Sequence, residues 1–188
     1  MSKTVSTLLC VVILFMQSST VVPQKPINHG ARIETKYDGF ASETVMRLQK
    51  MKVNCNGFGG NFKDYCVSID VALHCPGPQM SRVAKVTLQL LFETRSWDEP
   101  HPANQRELAV MTDTETLRLG KMRLIRRPNT VLQEKMVETL ETTLPYGVFK
   151  KLAQSQSIEF QVGNDKVELN EKNLAALRDL NNRVLKSQ

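Results

Sequence analysis

The sequence is poor in the residue types that carry most catalytic and metal-binding chemistry. Its 188 residues include 3 histidines, 4 cysteines and one tryptophan, and aromatic residues make up 6% of the chain. No phosphate-binding fingerprint is present either, because the glycine-rich segment Asn54–Lys63 lacks both the dinucleotide-binding spacing and a following Gly-Lys-Ser/Thr. We therefore expect no cofactor, and we predict that segment 54–63 is a hairpin loop.

A bound metal is not expected from the sequence. A polar loop holds the side chains of Asp98, Glu99 and His101, which are weak candidates for a catalytic or metal site. A protein metal site needs about four ligands, and no second cluster of ligand residues supplies the rest. Catalysis by this loop would require distant residues, such as His29 or Asp38, to meet it in one pocket.

Positive charge is in modest excess and is dispersed, apart from one denser patch at Lys121, Arg123, Arg126 and Arg127. The formal net charge is +6, and lysine and arginine are spread along the chain. Proteins that bind nucleic acid usually collect such charge in a patch or stripe. No nucleic-acid partner is therefore expected, and we predict a protein or another component of the cell envelope as the partner.

Long apolar runs are absent except near the N-terminus. Lys3 precedes an apolar stretch at 5–16, and Ser18 and Thr20 occupy the −3 and −1 positions of a cleavage site. A short apolar core behind a positive charge and before small residues is the layout of a signal peptide. The sequence therefore predicts a signal peptide at 1–20 and an exported protein, either periplasmic or secreted.

An uncleaved N-terminal segment is the alternative. Residues 5–22 contain no charged side chain and would then anchor the chain in a membrane, although the apolar core is shorter than the ~20 residues of a spanning helix. Residues 21–31 contain two prolines and one glycine and are predicted to be an extended leader. Residues 32–188 are predicted to form a single β-rich domain.

Cleavage would leave three cysteines, Cys55, Cys66 and Cys75, in a compartment that permits disulfides. Cys55 and Cys66 flank the glycine-rich segment and are the candidates to pair across a hairpin. Such a bridge closes a short loop and would stabilise the fold by roughly 2–3 kcal/mol in the chain-entropy model. Cys75 is then a buried thiol that packs as a small apolar side chain. A Cys66–Cys75 bridge would require the intervening strand to end early.

The segment from Tyr65 to Cys75 has the clearest strand pattern, with apolar residues at its odd-numbered positions. Cys66, Asp70 and His74 share the other face. On a strand, successive members of this set lie roughly 13 Å apart at ~3.3 Å per residue, whereas a nucleophile and its base must lie about 3 Å apart. They therefore cannot form a catalytic triad, and His74 is predicted to be a surface residue.

Other segments alternate in the same way and are predicted to be strands: 32–37, 45–51, 86–92, 108–110 and 117–124, the last with a bulge at Gly120. In segment 132–144, leucine and methionine recur every four positions, which fits either a helix or a strand. The β-branched residues between them favour a strand. Pro145 then opens a short helix near 146–154.

The segment Ser157–Val184 is the most consistent unit in the sequence. A strand at 158–162, a turn of glycine, asparagine and aspartate, and a second short strand at 167–169 predict a hairpin. Asn170 is predicted to cap a helix near 171–185, whose leucines fall on one stripe. We expect this helix to cover the sheet.

Together these patterns predict a mainly β (α+β) fold. Strands separated by turns, with a short helix near 146–154 and a C-terminal helix near 171–185, indicate an antiparallel β-sandwich or open barrel of about eight or nine strands.

Several short motifs occur in a distinctive order: Tyr37-Asp38-Gly39-Phe40, a strand ending at Trp97, Leu119-Gly120, Leu144-Pro145 with Phe149, and QVGNDKVELNEKNLAALRDL. In this order, over about residues 32–184, the chain resembles a family of uncharacterised exported bacterial β-rich proteins that end in a hairpin and a helix of the Leu-x-Ala-Leu-Arg type. The resemblance implies export and the fold, but no activity and no functional residues. Three cysteines in the domain depart from the pattern of that group.

Three functions are compatible with these patterns. An exported non-enzymatic β domain with a structural or partner-binding role is favoured, because no acid, base and nucleophile are clustered. The first alternative is a carrier of a small apolar ligand, which predicts an internal cavity on the order of several hundred Å³. The second is a hydrolase-like enzyme whose site is built from distant loops.

Overall fold

The structure is a computed structural model that describes residues 28–53, 66–94, 101–126 and 136–187. Within these ranges the chain forms ten strands in two antiparallel sheets, together with two α-helices. The strands are β1 (Arg32–Asp38), β2 (Glu43–Lys52), β3 (Val67–Pro76), β4 (Lys85–Thr94), β5 (Glu107–Thr112), β6 (Thr116–Lys121), β7 (Arg123–Arg126), β8 (Met136–Leu144), β9 (Ile158–Val162) and β10 (Asp165–Glu168). The helices are α1 (Tyr146–Gln154), α2 (Glu171–Ser187) and a short 3₁₀ helix, Ala103–Gln105.

Both sheets are open, and neither closes into a barrel. The six-stranded sheet has the order β1-β2-β3-β4-β8-β7, and the four-stranded sheet has the order β10-β9-β5-β6. All neighbouring strands pair antiparallel. The predicted mainly β fold with a short and a C-terminal helix is therefore confirmed, with ten strands rather than eight or nine.

Alternation of apolar and polar residues explains why β3 and β4 lie inside the larger sheet. On β3, Ile69, Val71 and Leu73 point to one face, and each lies opposite a buried apolar residue of β4. Burial of each such side chain contributes roughly 1.5–3 kcal/mol. One continuous hydrophobic cluster joins these residues to the smaller sheet and to both helices. The two sheets and the helices therefore share one core.

Segment 117–124 forms parts of two strands in different sheets. Gly120 has φ +79° and lies opposite Leu108 at a register shift, which confirms the predicted bulge. Met122 follows with a buried side chain, and its N–H donates to the carbonyl of Arg106 at 2.8 Å. The chain crosses between sheets at this point, so β7 pairs with β8 instead of continuing β6.

The segment before Pro145 is a strand, as its β-branched residues predict. β8 accounts for 136–144, whereas 132–135 lies outside the described residues. Pro145 has φ −60° and occupies the N-cap position of α1. Phe149 and Leu152 then bury one side of this helix. The short helix predicted near 146–154 is therefore confirmed.

The C-terminal helix α2 begins with a reciprocal cap. Asn170 Oδ1 accepts the N–H of Asn173 at 3.1 Å, and Asn173 Oδ1 accepts the N–H of Asn170 at 3.2 Å. The side-chain amide of Asn173 also donates to the carbonyl of Lys52 in β2 at 3.0 Å. The cap therefore fixes both the start of the helix and its position on the sheet. The helix buries Leu174, Ala176, Leu177, Leu180 and Val184.

Several predicted features lie outside the described residues. They are the signal peptide at 1–20, the glycine-rich segment 54–63 and Trp97. In the part of the chain that is described, no helix is both long and apolar enough to cross a membrane.

The cysteines agree with the sequence prediction as far as they are described. Cys75 is free and fully buried on the core face of β3. Cys66 is not a free thiol. Because Cys55 lies outside the described residues, the Cys55–Cys66 pairing stays a prediction.

The turn between β9 and β10 approaches the 3₁₀ helix closely at Gly163. This residue has φ +58°, and a Cβ added there would lie 2.9 Å from the carbonyl oxygen of Gln105. We expect Gly163→Ala to lower the free energy of unfolding by about 1–3 kcal/mol, because it adds both backbone strain and a steric clash. Denaturant unfolding curves measure the change.

Gly147→Ala is the matched control for this prediction. Gly147 lies in the first turn of α1, and a Cβ added there has no atom within 4 Å. Alanine favours a helix over glycine by up to about 1 kcal/mol, so we expect this variant to be neutral or more stable. An equal loss of stability in both variants would contradict the close approach at Gly163.

Candidate functional site

Two of the three histidines are held by carboxylates away from the sheet interface. His29 Nε2 lies 3.2 Å from Asp179 Oδ2 on α2. His74 Nδ1 lies 2.9 Å from Glu43 Oε1, and its Nε2 lies 3.1 Å from the hydroxyl of Thr87. The other nitrogen of His29, Nδ1, accepts the backbone N–H of Ala31 at 3.1 Å, so both ring nitrogens of each imidazole already have a polar partner.

The third histidine, His101, forms a buried charge cluster with two carboxylates. Its side chain is 2% exposed, and Nδ1 lies 2.5 Å from Oε2 of Glu138, which is itself fully buried. Its Nε2 lies 3.0 Å from Asp165 Oδ2, which is an ion-pair distance, although the direction is not that of a hydrogen bond. With a carboxylate at each nitrogen, both nitrogens carry protons and the ring is an imidazolium.

Elements of both sheets position these side chains. Glu138 on β8 lies directly opposite Phe92 on β4, so both point into the core, and the Phe92 ring lies 4.4 Å from the His101 ring. Asp165 is the first residue of β10 in the smaller sheet. The carbonyl of His101 accepts a hydrogen bond from Arg106 Nε at 2.8 Å, which holds the loop in place. His101 therefore links the two sheets.

The carboxylates determine the protonation of His101. Burial alone lowers the pKa of an imidazolium, but contacts with Asp165 and Glu138 outweigh this and raise the pKa from 6.5 to about 9. The ring is therefore charged at neutral pH. A shifted pKa often marks an active site, but this ring is enclosed by the core and is not accessible to a substrate. The cluster is a structural connection between the sheets.

Glu138 and Asp165 are not predicted as site residues from the sequence, although Glu138 carries a signal. It lies two residues before Leu140, so alternation places it on the core face of β8. A charged residue at a core position needs a buried partner. Asp165 gives no comparable signal, because aspartate is common in turns.

Of the predicted loop-site residues Asp98, Glu99 and His101, the structure describes His101, and its side chain is buried. Asp98 and Glu99 lie outside the described residues, whereas His101 points into the core. His29 contacts α2, and Asp38 caps the turn after β1. His101, His29 and Asp38 therefore do not converge. Within the described ranges, no group of three His, Cys, Asp or Glu side chains is arranged to hold a metal ion.

The polar face of β3 forms contacts within the sheet. Asp70 Oδ1 accepts the backbone N–H of Lys50 at 2.5 Å, where Lys50 has φ +46° next to an irregularity in the β2–β3 register. His74 lies on the outer face of the sheet but is half-buried between β2 and β4, so it is less exposed than the sequence predicts. Asp70 and His74 contact different partners, in agreement with the spacing that excludes a triad.

An open concavity lies on the outer face of β1 and β2, opposite the core. This β1–β2 groove has a volume of about 530 Å³. Its lining residues are Glu34, Lys36, Tyr37, Asp38, Gly39, Phe40, Val45, Arg47 and Gln49. The lining contains no histidine, cysteine or serine, and its ionisable groups are two carboxylates, one lysine, one arginine and one tyrosine.

The groove combines charges of both signs with an exposed aromatic residue. Lys36 and Arg47 supply positive charge, and Glu34 and Asp38 supply negative charge. Phe40, in the turn after β1, is fully exposed. Aromatic residues contribute much of the energy of protein interfaces, and surrounding charges help to select the partner. These features are typical of a protein-binding surface.

No family model, curated protein or solved structure matches the chain. The function is therefore inferred from the geometry and chemistry of its own residues.

The free energy of unfolding is expected to fall at alkaline pH as His101 loses its proton. Because folding raises this pKa, the stabilisation is complete below about pH 6.5 and is lost as the pH rises through about 9. The loss from this group is on the order of 3 kcal/mol. Denaturant unfolding at about pH 6 and about pH 10 measures the difference.

Two histidine variants test whether His101 causes this loss. We expect His101→Gln to be less stable at about pH 6 and to show a flatter pH dependence than the wild-type protein. His74→Gln is the control, because His74 pairs on the outer face of the sheet, and it should retain the alkaline loss. The same alkaline loss in His101→Gln as in the wild type would refute the assignment.

Proposed function

We propose that this chain is an exported, non-enzymatic β domain that binds a partner polypeptide at the β1–β2 groove. The observation that carries the proposal is the fully exposed Phe40 beside a groove with charges of both signs. Burial of an aromatic anchor can supply binding energy, and a mixed-charge rim favours a polypeptide over a nucleic acid. The partner class is therefore a protein segment of mixed charge.

Catalysis has little support among the described residues. Both ring nitrogens of each imidazole already contact a polar group of the fold. The free thiol of Cys75 lies in the core, where burial raises its pKa. A reactive cysteine instead needs a lowered pKa and access to solvent. These groups stabilise the fold and do not form a reaction centre.

A carrier of a small apolar ligand also has less support. Such a ligand needs an enclosed and mostly apolar cavity. The β1–β2 groove is open and lined largely by charged and polar residues. The space between the sheets is filled by fully buried side chains such as Leu48, Leu90 and Phe160. The groove is therefore better suited to a polypeptide.

The proposal places the domain outside the cytoplasm because residues 1–20 have a signal-peptide layout. The partner is then a protein segment of the cell envelope or the secreted fraction. Retention of residues 5–22 would keep the same binding surface at the membrane.

A photo-crosslinking amino acid in place of Phe40 is expected to capture a partner in intact cells that export the full chain. Because the surface is predicted to bind one partner, the product should have one discrete mass. Immunoblotting and mass spectrometry of the product measure the capture and identify the partner.

The same crosslinker in place of Leu185 is the matched control. Leu185 is 48% exposed but lies on α2, away from the groove. Strong capture from position 40 with little from position 185 supports the proposal. Equal capture from both positions, or none from either, contradicts it.

A further inference from the structure

β1 is an open sheet edge. It is seven residues long and ends the six-stranded sheet, with no strand beyond it in the described part of the chain. An open edge presents unpaired backbone N–H and C=O groups, which can pair with another strand. If this side of the domain binds a polypeptide, as proposed above, the sequence of β1 identifies which strand fits.

The charges of β1 are complementary to themselves in the antiparallel direction. When Thr35 of one copy lies opposite Thr35 of a second copy, Glu34 faces Lys36. In the same register Arg32 faces Asp38. The two-fold axis repeats each pair, which gives four pairs of opposite charge. Opposite charges directly across a strand pair are stabilising, and like charges are destabilising.

The apolar residues of β1 match in the same register. Ile33 lies opposite Tyr37, and on β2 these two residues pair with the buried Leu48 and Thr44. Tyr37 is 46% exposed in one copy, so pairing would cover an aromatic side chain that the single chain leaves partly uncovered. Charged pairs and apolar pairs therefore select the same alignment.

Other registers place like charges opposite each other or align the polar face of one copy with the core face of the other. An axis at Glu34 puts Glu34 opposite itself and Arg32 opposite Lys36. An axis at Lys36 puts Lys36 opposite itself and Glu34 opposite Asp38. A shift of one residue would align the polar face of one copy with the core face of the other. The register centred on Thr35 avoids all of these conflicts.

The other three edge strands of the described sheets lack this complementarity. β6 and β7 contain no carboxylate, so they cannot form an opposite-charge pair with their own copies. Full-length self-pairing of β10 would put Asp165 opposite Glu168. These edges are also shorter than β1. Self-recognition is therefore a property of β1 among these edges.

The charged groups of β1 are placed to meet a second copy. Lys36 and Asp38 are exposed, and Arg32 is 76% exposed. Glu34 Oε1 pairs with Arg32, and Oε2 accepts a hydrogen bond from the Gln49 amide at 2.8 Å. Because an ionised carboxylate can accept about four hydrogen bonds, Glu34 can also bind a lysine of another copy. Pairing then requires no buried contact to break.

We infer that β1 pairs antiparallel with β1 of a second copy of this chain, centred on Thr35, so that the two six-stranded sheets become one continuous sheet of twelve strands. The two β1–β2 grooves then lie on the same face of that sheet, on either side of the two-fold axis. The partner recognised at this edge is the chain itself.

Charge reversal tests the pairing and its register. Glu34→Lys places a cation opposite Lys36, and Lys36→Glu places a carboxylate opposite Glu34, each at two symmetric positions. We expect each single variant to weaken the dimer by at least about tenfold in Kd. The double variant Glu34→Lys/Lys36→Glu restores both pairs and should dimerise like the wild type. Sedimentation velocity over a concentration series of the full exported chain measures Kd.

A mixture of the two single variants controls for misfolding and for net charge. In the mixture, each single variant meets its complement, so a heterodimer should form although each variant alone is weak. Glu34→Lys raises the formal net charge and Lys36→Glu lowers it. A general effect of net charge would therefore shift the two Kd values in opposite directions, whereas broken pairs weaken both.

The outcomes separate this inference from the proposed function. A wild-type monomer at all concentrations, or equal Kd values for all variants, would overturn pairing through β1. If one of these two results is found and a crosslinker at position 40 still captures a different protein, the partner-binding function stands. Only the second copy as partner is then refuted. A crosslinked product of twice the chain mass, together with the heterodimer in the mixture, supports both.

Discussion

Two carboxylates and one imidazole lie between the two sheets, and the contacts among them hold one sheet against the other. Glu138 occupies a core position of β8, where its charge is compensated because His101 is protonated beside it. Asp165 meets the same ring from the other sheet. Removal of one partner would leave an uncompensated charge in the core, so the three side chains act as a unit. Histidine and carboxylate side chains, which often take part in catalysis, therefore stabilise the fold in this cluster.

The sequence predicts the structure correctly wherever residues close in the sequence determine the burial of a side chain or the start of a helix. Alternation predicts β3 and β4, and Pro145 and Asn170 predict the starts of both helices. The His101 cluster is not predictable in this way, because Glu138 lies 37 residues away and the contact depends on which sheet each strand joins. The crossing at Met122 has the same origin, since a glycine bulge indicates an irregular strand but not its next neighbour. A pattern of period two predicts which face of a strand is buried. Which strands are neighbours in a sheet depends on pairing between residues that are far apart in the sequence.

Many polar groups inside the fold contact one another, and the surface proposed for binding lies on the larger sheet. The outer faces of β2, β3 and β4 are tied together by side-chain contacts such as those of His74. β1 lies beyond these strands and combines an edge that no other described strand covers with the neighbouring groove. The smaller sheet and the two helices bury the opposite face of the larger sheet. The surface proposed for binding therefore lies on the face of the larger sheet that does not bear the core.

The order of the strands along the chain has a consequence for how the protein folds as it is made. β1 to β4 are sequential neighbours and can pair as soon as they emerge, but β9 is an inner strand of the smaller sheet and α2 covers β2. Both come from the segment after Ser157, which also brings the second carboxylate to His101. Non-local pairing of this kind is slow, and incomplete chains expose apolar surface. A chain cut or stalled before Ser157 would therefore lack β9 and α2, would leave apolar surface uncovered and would be a substrate for proteases.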